Sequence, residues 1–157
     1  MADKYNYNAE WGWAIIYGEE ALCAERYQII SLISRSKSEL EILLRRDSLP
    51  AEERPNVELD LANVCNGLGI ALKIEDPEES RENLLEAQEI LERLIKEDPE
   101  NGNIYRIYSF NAFYREDYEK ADEYRKKAES FGVTFTKFYL WDLEQHLQGI
   151  QTCDSEP

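Results

Sequence analysis

The chain has 157 residues, 43% apolar and 32% charged, a size and composition suited to one soluble domain with its own core and too apolar for a disordered chain. It carries 33 acids against 18 Lys and Arg, for a net charge of −15, and 15 of those acids fall within residues 51–100 against only 5 bases. Such a field repels phosphate backbones and anionic membrane surfaces and attracts basic proteins, so neither nucleic acid nor membrane is an expected partner.

The first residues, MADKYNYNAEWGW, lack a basic region followed by a long apolar run, so no secretion leader is expected, and WGWAIIYG is too short to cross a bilayer. Three widely spaced cysteines, Cys23, Cys65 and Cys153, form no CxxC pair and suit free thiols in a reducing compartment; the expected localisation is cytoplasmic. Residues 9–25 and 27–46 read as two helices or one long one, with Ile29, Ile30, Leu32, Ile33, Leu40, Ile42, Leu43 and Leu44 giving a broad apolar face. SLPAEERP, 48–55, reads as a loop. A helix over 56–74 follows, with Cys65 inside its apolar pattern.

Asp76-Pro77-Glu78-Glu79 opens a helix to Lys96: Asp accepts a backbone N–H as the cap, Pro loses no useful donor, and the acids suit the positive end of the dipole. Asp98-Pro99-Glu100-Asn101 closes that helix and opens another over 102–114. A further helix over 117–131 stops at Gly132, a left-handed cap. Thr134 is expected to cap the last helix, 135–149, with Phe135, Phe138, Tyr139, Leu143, Leu147 and Ile150 inward. Strand signals are scarce.

The second half of the chain repeats. Ala87 matches Ala121, Leu94 matches Ala128 and Leu84 matches Tyr118, each at an offset of 34; Leu68-Gly69 matches Tyr108-Ser109 once six extra residues near IEDPEESR are removed. Small residues at those points let paired helices approach, and large apolar ones fill the gaps between turns. On these residues, together with Leu91, Asp98-Pro99 and Tyr105, residues 60–132 resemble the tetratricopeptide repeat family. The resemblance implies an all-α superhelix of about seven antiparallel helices in a single domain, 1–157: an N-terminal helical pair (9–47), two hairpins (56–132) and a capping helix (134–150).

That family generally binds through a concave surface lined by the first helix of each hairpin. The resemblance therefore implies a protein- or peptide-binding face made of Asn63, Asn66, Ile70 and Lys73 in the first repeat and Asn103, Arg106, Phe110 and Phe113 in the second. The amides could bond an extended backbone and the two Phe could take apolar anchors. Local chemistry points to no enzyme, metal or cofactor: His146 is a lone histidine one turn after Asp142, GLGIAL (67–72) follows no strand, and the paired carboxylates sit at helix starts, where capping explains them. The expected role is a non-enzymatic adaptor or chaperone, similar in architecture to the small secretion chaperones built on this repeat. The alternative is an acidic inhibitor or immunity-type protein that binds a basic toxin or enzyme through residues 75–100. The aromatics Tyr5, Tyr7, Trp11, Trp13 and Tyr17 supply a second candidate surface, through which a homo-oligomer could form.

Overall fold

The computed structural model describes residues 26–149, and within them every regular element is a helix. These are α1 (Arg26–Leu44), α2 (Arg54–Leu72), α3 (Pro77–Glu97), α4 (Gly102–Tyr114), α5 (Tyr118–Ser130) and α6 (Lys137–Leu147). The helix expected over 9–25, the N-terminal aromatics, Cys23, Ile150 and Cys153 lie outside the described residues. No described helix is long and apolar enough to cross a membrane. The chain divides into two compact units, Met1–Asn83 and Leu84–Pro157, with the division inside α3.

In the first unit α1 packs on α2. Leu40, Leu49, Val57, Leu61, Ala62, Leu68, Leu72 and Cys65 are buried there. Gly67 faces Ile33 across the α1–α2 contact, where a Cβ would meet it at an ordinary 3.8 Å. Pro55 sits in the first turn of α2, where its missing N–H costs nothing, so the helix begins two residues earlier than the sequence suggests. The Arg54 guanidinium donates to the Leu44 carbonyl at 3.0 Å and satisfies an open end of α1. The start of α3 is tied down by polar groups: Asp76 accepts from the Glu79 N–H, Ser80 donates to the Gly69 carbonyl, and Lys37 donates to Asn83 at 2.9 Å.

In the second unit α4 pairs closely with α5, and α6 lies against α5. Ala87, Leu91 and Leu94 on α3, Tyr108 and Ala112 on α4, and Ala121 and Ala128 on α5 are all buried. Ser109 stitches the narrow α4–α5 contact by donating to the Ala121 carbonyl at 2.7 Å. Asn111 donates to the Leu84 carbonyl and ties α4 to α3. Asn101 caps α4 and Asp117 caps α5, each through its carboxamide or carboxylate oxygen.

Both turns after α4 and α5 close in the same way. Gly132, at φ +80°, lets Val133 and its own N–H bond back to the Ala128 and Glu129 carbonyls. Glu116 adopts the same left-handed backbone at φ 66°, with Asp117 and Glu116 bonding back to Ala112 and Phe113. Gly102 is required for a different reason: a Cβ there would lie 2.6 Å from Val133 Cγ2 and 2.9 Å from Phe131 Cβ. Gly102→Ala is therefore expected to force the α5–α6 loop off the start of α4 and to cost about 1–3 kcal/mol, read as a lower denaturant midpoint at an unchanged slope.

The last helix departs from expectation. Thr136, not Thr134, caps it, accepting from the Tyr139 N–H at 3.3 Å. Phe135 stays outside the helix and stacks on Tyr139, fixing the entry of the chain. In that register Tyr139 and Leu143 face inward one turn apart. Phe138, one residue earlier, turns out and is 73% exposed, and Leu147 is exposed as well.

Candidate functional site

Within the first unit, Asn63 and Ile70, seven residues apart, share one stripe of α2, and Ile74 follows in the turn beyond the Lys73 cap. All three are exposed, Ile70 at 42% and Ile74 at 75%, and exposed Lys73 flanks them. Asn66 does not join this face. It is only 2% exposed, on the flank that carries buried Ala62 and Gly69, so its amide serves the interior and not a bound peptide.

Within the second unit, Asn103 is exposed and Arg106 half-buried. Phe110 and Phe113 are not free anchors. Phe110 packs edge-on against Tyr139 at 4.6 Å and against Phe135; Phe113 packs against Tyr139, Tyr118 and His146. Both belong to the small core closed by α6, with Ala112, Ala121 and Leu143. Because α4 is apolar around most of its circumference, its Phe face meets α6 instead of solvent.

His146 lies flat on the Tyr118 ring at 4.2 Å, and its Nε2 is 3.6 Å from Asp142 Oδ1. It is thus a docking contact between α6 and α5. Among the described residues no three His, Cys, Asp or Glu side chains gather as metal ligands. Arg125 is held by Asp122 and Glu129 on its own helix. Burial alone would raise the Asp122 carboxyl, but hydrogen bonds from Lys126 and Arg125 outweigh it and keep the group below its usual value.

One polar assembly has no signature in the sequence. Tyr108, stacked on Tyr124 at 4.1 Å, donates its hydroxyl to Glu92 Oε1 at 2.8 Å. Gln88 donates to the same carboxylate oxygen and accepts from Arg115. The hydrogen bonds from Gln88 and then Tyr108 hold Glu92 below its ordinary value, while burial, reinforced by Glu92, pushes the Tyr108 phenol upward. A carboxyl depressed in the folded state stabilises above its unfolded pKa, about 4.3, and loses that contribution as pH falls through the folded value. Tyr108→Phe is therefore expected to cost about 1 kcal/mol at neutral pH, with the gap to wild type narrowing below about pH 4, as denaturant melts at the two pH values would read.

The α3 helix and its flanks form the other candidate. Glu75, Asp76, Glu78, Glu79, Glu82, Glu89, Glu92, Glu97, Asp98 and Glu100 are exposed, and only the exposed Arg81, Arg93 and Lys96 oppose them. No family model, curated protein or solved structure matches the chain.

Proposed function

We propose that the protein is a non-enzymatic interaction module of tetratricopeptide-like helical hairpins that holds a protein or peptide segment, as an adaptor or chaperone does. The observation that carries this reading is the α2 stripe and the turn that follows it: Ile70 on the helix and Ile74 in the turn stand in solvent, with exposed Asn63 and Lys73 as groups that bond a peptide backbone. The burial of Ala87 with Ala121, and of Leu94 with Ala128, each pair 34 residues apart, supports the repeat. Within the second unit, Phe110 and Phe113 belong to the interior, while Asn103 is exposed and Arg106 half-buried.

The exposed acids of residues 75–100 favour one second reading, an inhibitor of a basic toxin or enzyme. Salt separates the two. A captured partner held by the α2 stripe should stay bound as salt rises from about 0.05 to about 0.5 M, whereas one held by the acids should elute over that range. Early elution counts against the adaptor reading.

A further inference from the structure

The outward face of α6 carries Lys137, Phe138, Trp141 and Glu144, which share one stripe of the helix. All four are exposed; Phe138 and Trp141, at 73% and 55%, form a ring pair 6.3 Å apart. The opposite side of α6, through Tyr139 and Leu143, closes the core of the second unit. On its outward side α6 presents two large rings to solvent, where a surface helix ordinarily carries polar groups.

The charges on this stripe are informative. In a chain of net charge −15, the stripe carries one cation and one anion. Lys137 and Glu144 stand at its two ends, seven residues or about 10 Å apart along the axis, with the rings between them. A basic partner would find no acid excess here. A pattern that reads plus, ring, ring, minus is complementary to itself when turned end over end, as a two-fold contact requires.

We propose that this face pairs with the same face of a second copy of the chain, antiparallel, about a two-fold axis crossing α6 between Leu140 and Trp141. That axis sets each Lys137 opposite the other copy's Glu144. The rings then alternate along the seam: Phe138, the second copy's Trp141, Trp141, the second copy's Phe138. The aromatic rings supply the affinity, and the exposed ion pairs fix direction more than strength. A stripe of three turns is small against the roughly 1,200 Å² that stable interfaces bury, so the dimer is weak and reversible.

Sedimentation of the full chain from about 10 μM to about 1 mM tests this. The expected result is a concentration-dependent monomer–dimer equilibrium. Trp141→Ser should weaken it about tenfold without lowering the melting temperature, because the ring lies outside the core. Lys137→Glu should also weaken it, and adding Glu144→Lys to that variant should restore it. A wild-type chain that stays monomeric to about 1 mM, or a dimer that survives both Trp141→Ser and Lys137→Glu, overturns the proposal. The result is independent of partner binding by α2, which lies on a different helix.

Discussion

Tyr139→Ala is expected to cost about 3–5 kcal/mol and to lower the melting temperature by about 10 °C or more. Tyr139 is the keystone of the second unit. Its ring is packed by Phe110, Phe113 and Phe135, and its hydroxyl shares a 2.6 Å hydrogen bond with buried Ser109. Burial pushes the phenol up to about 12, so it stays protonated at neutral pH. Truncation removes the ring, leaves a cavity among aromatic neighbours and deprives Ser109 of a partner. Tyr139→Phe separates these terms: it keeps the ring and should cost only about 1 kcal/mol. Equal losses for the two variants would mean that the hydroxyl, not the packing of α6, holds the unit closed.

Ala121→Leu is the second large effect. Ala121 is fully buried at the α4–α5 contact, and its carbonyl accepts the Ser109 hydroxyl. Three added carbons have no space at a backbone approach already bridged by a serine. The helices must separate, breaking that bond as well, so a loss of about 3 kcal/mol is expected. Ala121→Ser, nearly the same size, should cost under about 1.5 kcal/mol. Chemical denaturation of the three proteins would check the order; a Leu variant as stable as wild type would mean that the alanine spacing has no packing role.

The parts of the fold that depend on near neighbours in sequence were legible in it. Asp76-Pro77, Asn101 and Gly132 mark helix ends because a cap needs only a side chain and a backbone group a few residues apart. The small residues Ala87, Ala121 and Ala128 were legible for a related reason, since a narrow contact leaves few alternatives to alanine. Long-range choices were not. Thr134 and Thr136 are equivalent as caps until Phe135 is seen stacked on Tyr139. The α4 sequence offers apolar residues on several faces, so nothing local says that Phe110 and Phe113 meet α6. Asn66 has the amide a peptide site wants, but the packing of its helix turns it inward. The Tyr108–Glu92 bond joins side chains 16 residues apart on different helices, beyond any periodic pattern.

Asn63, Ile70 and Lys73 are exposed, and so is Ile74 in the turn after α2; these residues are what the proposed binding face rests on. Phe110 and Phe113 now make a control instead of a probe, because their truncation would damage stability as well as any binding. The most direct test measures the dissociation constant of the captured partner for three proteins: wild type, Ile70→Ser/Ile74→Ser, and a variant with Glu78, Glu79, Glu82 and Glu89 changed to Gln. The account predicts that the isoleucine variant loses at least about tenfold in affinity while the glutamine variant loses little. Full affinity in the isoleucine variant, with binding lost in the glutamine variant, would contradict it.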